Sequence, residues 1–171
     1  MNTLNQHIWL CGFMGCGKST VGRALAKCCG TEFIDMDSYI EEQEQITIPQ
    51  IFAQYGEPRF REMETACIAA LKTHTPAVIA AGGGAFVSAE NAALAAQSGK
   101  VVFLDVPFEI CYQRIQHSDR PIVQRSTKEE LQSLFELRHK QYKANAGICF
   151  REILPPQKTA EELAKLIATF E

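Results

Sequence analysis

No stretch of this chain approaches the roughly 20 consecutive apolar residues that a membrane-spanning helix needs, and the sequence therefore offers no membrane partner. Basic charge is not in excess either. Seventeen Lys and Arg stand against twenty Asp and Glu, for a net charge of -3. Proteins that grip nucleic acid without regard to sequence are normally basic, so no nucleic-acid partner is implied. Local basic sites for a phosphorylated or carboxylated small molecule stay open. C-x-x-C pairs are absent, the seven cysteines are odd in number, and the four histidines show no metal-ligand spacing. That pattern argues against a disulfide framework or a zinc site and for free thiols in a reducing compartment. The start, Met1 to His7, lacks a basic segment, and the apolar stretch after it is broken by Gly12, Gly15, Gly17 and Lys18. A secretory signal is not built that way, and the expectation is a cytoplasmic protein. Repeats, low-complexity tracts and linker-like stretches are also missing, so residues 1–171 are read as one domain.

What is present alternates between strand and helix. Ile8-Trp9-Leu10-Cys11 is a short apolar run ending at glycines and reads as a buried strand. Ser19 to Cys29 has helical periodicity, with Gly30 at its C-terminal end. Phe33-Ile34 reads as a strand that ends in Asp35-Met36-Asp37. Thr47 caps a helix through Phe52 with Pro49 in its first turn, and a separate helix spans about Arg59 to Leu71. Ala77 to Ala80 and Val101 to Leu104 are buried strands. Ser88 caps a helix expected to end near Gly99, and another follows Pro107 and carries Arg114. His117 to Ser126 is polar and reads as a loop. Thr127-Lys128-Glu129-Glu130 is a capping box opening a helix toward Tyr142, and Thr159 to Glu162 repeats that signature before the terminal helix. Ile148 to Ile153 is the last strand. Five nearly all-apolar strands with intervening helices predict an α/β fold in three layers, a parallel sheet covered on both faces.

Gly12-Phe13-Met14-Gly15-Cys16-Gly17-Lys18-Ser19 matches G-x-x-x-x-G-K-[ST]. Each position has a reason. The glycines let the backbone wrap a phosphate with its N–H groups pointing inward. The helix after the loop presents its positive end to the same anion. Lys18 suits the β/γ oxygens, and the Ser19 hydroxyl suits Mg²⁺. The motif implies a nucleoside triphosphate and says nothing about the acceptor.

Around it stand residues whose spacing alone leaves alternatives open. Asp35 and Asp37 follow the second strand, at the edge where parallel sheets bind ligands. One carboxylate can help hold Mg²⁺ and the other can draw a proton from an attacking hydroxyl; equally, Asp37 can cap the helix beginning at Ser38. Gly82-Gly83-Gly84 after a strand allows close approach of backbone to a ligand. Arg61 and Glu64 lie at i, i+3, and on spacing alone a solvated surface pair is the better reading. Arg120-Pro121 lies in the polar loop, where an arginine can close over the γ-phosphate or simply be solvated. Arg138 and Tyr142 share a helix face.

Taken together, GFMGCGKST, the Asp35-Met36-Asp37 pair, IFAQYGEPRFREME with its F-R-x-x-E core, the GGG after a strand, the R-P loop and R-x-x-x-Y resemble the shikimate kinase family in order and over nearly the whole chain. The resemblance implies a five-stranded parallel sheet of the nucleoside monophosphate kinase type, with acceptor-binding helices over about residues 37–72 and a lid over about 114–126. It implies ATP and Mg²⁺ as cofactors, shikimate as the small-molecule partner, and a monomer. Gly15, Cys16, Gly17, Lys18, Ser19 and Thr20 would hold the phosphates, with Lys18 and Arg120 neutralising the transferring group. Ser19 and Asp35 would hold the metal. Asp37 would orient or deprotonate the attacking hydroxyl. Arg61 and Arg138 would bind the substrate carboxylate, and Gly82, Gly83 and Gly84 would contact the substrate. Arg114 would stack on adenine, with Gln157 nearby. The chain departs from the family pattern at Lys140, where proline is common, at Ile122-Val123 in the lid, and at Cys16, whose thiol is expected beside phosphate and open to reagents. Gluconate kinase is the nearest alternative, a nucleoside monophosphate kinase the next, and a non-catalytic ATP-dependent sensor the alternative from another class.

Overall fold

The structure is a computed structural model that describes residues 4–170. Met1 to Thr3, part of the polar start, lie outside the described residues. Five strands form one parallel sheet in the order β2-β3-β1-β4-β5: β1 His7–Cys11, β2 Glu32–Asp35, β3 Ala77–Ala80, β4 Gly99–Leu104 and β5 Ile148–Phe150. β1, β3 and β4 are apolar and buried nearly throughout, as strands with both faces covered must be. Helices α1 (Lys18–Cys29) and α8 (Pro156–Ala168) pack together on one face, and α3 (Ile48–Leu71), α4 (Ala89–Ala96) and α7 (Lys128–Asn145) on the other. Short α2 (Met36–Glu44), α5 (Phe108–Ile115) and α6 (Pro121–Gln124) complete the chain. Among the described residues no helix is long and apolar enough to cross a membrane.

Parallel pairing decides where a site can form. Every strand points the same way, so the segments after β1, β2 and β3 emerge at one edge. That edge gathers Gly12 to Ser19, Asp35 to Asp37 and Gly82 to Gly84 by topology alone.

Element boundaries differ from the sequence expectations at several places, each for a local reason. The helices expected over 47–52 and 59–71 run into each other as α3, with the helical path broken at Gly56 (φ 79°, ψ 172°) just before Pro58. Glycine there supplies a backbone conformation that other residues rarely adopt. Gly99 does not end a helix; α4 stops at Ala96, and Gly99 opens β4 where its missing side chain lets it lie against the His7 carbonyl. β5 ends at Phe150 rather than Ile153, because the Phe150 carbonyl accepts from Asp105 N (2.9 Å), just past β4, and the chain then leaves the sheet. The supposed loop over 117–126 contains the single turn α6, started by Pro121, whose fixed φ suits a first helical position. α8 likewise begins at Pro156, a turn before the Thr159 signature, and the Thr159 hydroxyl donates back to Leu154 O (3.2 Å). The capping boxes at Thr47 and Thr127 form as read.

The turn after the Gly82–Gly84 run is locked by one buried amide. Asn91 donates to Ala85 O (2.9 Å) and accepts from the Thr65 hydroxyl (2.8 Å), tying α3 and α4 to residues 85–87. Asn91→Ala strands the Ala85 carbonyl and cuts the tie to Thr65, whose hydroxyl keeps Arg61 O (3.2 Å) as a partner, and is expected to lower unfolding stability by about 1–3 kcal/mol. Urea denaturation monitored by circular dichroism measures this; a loss below a few tenths of a kcal/mol would show that the amide is not a structural tie.

Candidate active site

The phosphate loop joins β1 to α1 and owes its shape to glycines. Gly17 stands at the start of α1 with φ 99°, and Gly15 has φ 79°. Lys18 folds back over the loop, donating to Gly12 O (2.6 Å) and Phe13 O (3.3 Å). Arg114 on α5 donates to Gly15 O (2.9 Å), so α5 braces the loop from the other side. Cys16 does not offer the expected exposed thiol. It is 4 % exposed, with its sulfur packed against Gly12 and 3.8 Å from Lys18 Nζ.

Asp35 and Asp37 divide the tasks that spacing left open. α2 begins at Met36, two residues earlier than a cap at Asp37 would require, so Asp35 is the capping residue: its Oδ1 accepts from Ser38 N (3.1 Å). Its Oδ2 accepts from the Ser19 hydroxyl (3.2 Å), bringing two hard oxygen donors together beside the phosphate loop. Asp37 is released from capping and lines the cleft. Burial, and after it the nearby Asp35 carboxylate, pushes the Asp37 pKa above its ordinary value, with Lys18 opposing.

Arg61 and Glu64 are not the surface pair that their spacing favoured. Glu64 is 1 % exposed and accepts from Arg61 Nη1 at 2.6 Å. Spacing shows that two residues share a helix face, and only packing shows which face is inward. Burial raises the Glu64 pKa, against the attraction of Arg61. Burial also works against the Arg61 charge, but Glu64 and Glu57 outweigh it and the guanidinium pKa rises.

The glycine run explains itself at this point. A Cβ on Gly82 would lie 2.7 Å from Asp37 Oδ1 and 3.1 Å from Glu64 Oε2, and one on Gly84 would fall on the Arg61 guanidinium. Gly83 is looser, with Arg138 Nη1 at 3.5 Å from the same construction. Side chains at 82 and 84 would evict the charged groups. The backbone of the run is held by α7. The Tyr142 hydroxyl donates to Gly83 O, and Asn145 Nδ2 donates to Phe86 O (2.9 Å) and Val87 O (3.2 Å). Arg138, Tyr142 and Asn145 recur at helical spacing, so one face of α7 fixes both the run and the second arginine.

Two hollows meet along the glycines. A cleft of about 600 Å³ is lined by Gly15, Cys16, Gly17, Lys18, Ser19, Thr20, Asp35, Asp37, Gly82, Gly83, Arg114 and Arg120. Its far wall is Val106, Ile115, Phe150, Ile153, Leu154 and Pro156. A second hollow of about 460 Å³ holds Arg61, Gly84 and Arg138. Gln157 lines neither: it is exposed and its amide reaches Cys28 Sγ (3.6 Å) and Glu161 Oε1 (3.3 Å). The apolar wall and the Tyr142 contact were not singled out from sequence. The R-x-x-x-Y spacing was the one available sign of the latter.

Comparisons with known proteins give the family and the fold. The family model for shikimate kinase matches residues 14–168. This chain belongs to the shikimate kinase family. The shikimate kinase of Geobacter sulfurreducens is 39% identical over 167 residues, covering 96% of this chain and 90% of that one. The solved structure of the shikimate kinase from Acinetobacter baumannii, in complex with shikimate, superposes with a TM-score of 0.89 at 36% identity, over 97% of this chain and 94% of that one. That of Aquifex aeolicus gives 0.83 at 35% identity over 95% and 96%. A gluconokinase from Sinorhizobium meliloti gives 0.62 at 19% identity over 99% and 97%, a likeness of fold alone. As a shikimate kinase the chain is an ATP-dependent phosphotransferase of the shikimate and aromatic amino-acid pathway.

Tyr142→Phe keeps the buried ring and removes the hydroxyl that donates to Gly83 O. It is expected to raise the Michaelis constant for the phosphoryl acceptor by about fivefold while that for ATP stays within twofold, the usual size of one lost hydrogen bond. Steady-state kinetics with each substrate varied checks this; a parallel loss for both substrates would mean that the hydroxyl serves general stability.

Proposed function

We propose that this chain transfers the γ-phosphoryl group of ATP to the 3-hydroxyl of shikimate, giving shikimate 3-phosphate. The observation that carries the proposal is the order of groups along the two hollows. A phosphate cradle comes first, at Lys18 and Ser19. A half-buried carboxylate with a raised pKa, Asp37, comes next, touching Gly82. An arginine pair beside the same glycines, Arg61 and Arg138, comes last. An acceptor with a reactive hydroxyl at one end and a carboxylate at the other fits that order.

In this reading Asp37 accepts the proton as the hydroxyl oxygen attacks the γ-phosphorus, and the bond to the β-bridging oxygen breaks to release ADP. Lys18 and Arg120 neutralise the charge that spreads over the transferring oxygens. Arg61 and Arg138 hold the acceptor carboxylate by charge-assisted hydrogen bonds. Gly82, Gly83 and Gly84 let the acceptor approach the backbone, and Arg114 stacks on adenine against the apolar wall. Ser19 and Asp35, two hard oxygen donors side by side, would hold Mg²⁺, which would offset charge on the phosphates. Helices over about residues 37–72 carry the acceptor site. Residues 114–126, with Arg120 exposed between α5 and α6, serve as a lid that excludes water. All of these groups come from one chain, in keeping with a monomer, and cysteines without any C-x-x-C pair suit the cytoplasm.

A coupled ADP-release assay with shikimate, gluconate and nucleoside monophosphates tests the substrate directly, and turnover is expected with shikimate. Asp37→Asn is expected to lower kcat about a hundredfold or more, with smaller effects on either Michaelis constant. Because Asp37 works deprotonated and its pKa is raised, kcat/KM is expected to fall with decreasing pH through a midpoint above the ordinary carboxylate value of about 4. Full turnover in Asp37→Asn would remove it from the chemistry. Arg61→Lys keeps the charge but loses the planar fork, and is expected to raise the Michaelis constant for shikimate about tenfold, with that for ATP little changed. The reverse pattern would place Arg61 on the nucleotide.

A further inference from the structure

Arg61 is held by two glutamates of opposite character. Glu64, buried, takes Nη1. Glu57 is 63% exposed, and its Oε1 accepts from both Nε (3.3 Å) and Nη2 (3.1 Å) of the same guanidinium. The Nε–Nη2 edge is one on which an arginine takes a carboxylate in a fork. Pulling Glu64 away would strand a buried charge, whereas Glu57 already stands mostly in water and can leave at little cost. The backbone beside it is jointed: Gly56 breaks the helical path immediately before Glu57, and Pro58 comes next with no N–H to rebuild the helix. Glu57, Arg61, Gly84 and Arg138 line the same hollow.

We propose that Glu57 is a resident carboxylate, occupying the Nε–Nη2 edge of Arg61 until the acceptor's own carboxylate displaces it. Glu57 therefore determines specificity by competition. An acceptor bearing a carboxylate that reaches this edge replaces it charge for charge. A neutral polyol would have to leave Arg61 paired with Glu57 and forgo the anchor. Displacement costs the carboxylated acceptor part of its affinity, and the freed Glu57 swings outward about Gly56. This rests on the reading of Arg61 as the acceptor's anchor.

The test is Glu57→Gln, which keeps the size and removes the competing charge. It is expected to lower both the Michaelis constant for shikimate and its dissociation constant by about two- to fivefold, the range of an exposed ion pair, with the constants for ATP unchanged. Glu62→Gln is the control for field effects. Glu62 is 67% exposed, lines the same hollow, pairs with Arg59 (2.8 Å) and carries the same charge. It is expected to leave shikimate binding within about 1.5-fold. A higher or unchanged constant for shikimate in Glu57→Gln would overturn the proposal, showing Glu57 to orient Arg61 or to be idle. An equal fall in Glu62→Gln would overturn it as well, since net charge would then suffice. Arg61→Lys separates the two levels. If it weakens shikimate while Glu57→Gln does not tighten it, the anchor stands and the competition falls; if it leaves shikimate unaffected, both fall.

Discussion

Crowding at the carboxyl end of β3 governs the rest of the site. The space that side chains would take at residues 82 and 84 is filled by the Asp37 and Glu64 carboxylates and by the Arg61 guanidinium. Three charged groups from two helices thus converge on backbone that can approach them without steric cost. Remove the glycines and the acid, its buried neighbour and the arginine can no longer stand within one small region beside the phosphate loop. The raised pKa of Asp37 has its origin in the same packing, because a carboxyl beside little water and another carboxylate resists its charge.

Convergence of this kind needs rigid supports, and the fold supplies them at different depths. α7 holds the glycine run through Tyr142 and Asn145 and carries Arg138 on the same face. Its own seat is fixed at the sheet edge, where His139 Nε2 lies 2.8 Å from Asp105 Oδ1, an oxygen of the carboxylate that also takes Arg151. Asn91 locks the turn after the glycines to α3 and α4. The α2–α3 segment is built differently. It hangs from Asp35 at one end and is interrupted at Gly56 midway, so the arginine end of the site sits beside a joint while the phosphate end sits on the sheet. A kinase that must admit a small acceptor and then exclude water has use for one firm wall and one that yields.

Long-range order was open to sequence reasoning where the signal was local and repeated. Five short apolar runs with helical periods between them give parallel pairing, and the glycine-rich loop between β1 and α1 gives the phosphate cradle. Boundaries were less legible where two start signals compete. Pro156 opens α8 before Thr159 can, and Asp35 caps α2 before Asp37 can. In each case a residue two or three positions earlier satisfied the helix end first.

The sequence by itself determined the α/β class, the phosphate loop, and the presence of Asp35, Asp37 and three glycines at strand ends, because apolar periodicity places the strands and the residues that follow them, and the phosphate loop turns at Gly15 and Gly17 through conformations that glycine adopts readily. Tertiary structure decided what each polar residue faces. It buried Glu64 and left Glu57 in water, although both are glutamates one helical turn from Arg61. It closed Cys16 off inside the loop and turned Gln157 away from the cleft. Burial and direction arise from contacts between segments far apart in the chain, and the spacing of residues within one segment carries no record of them.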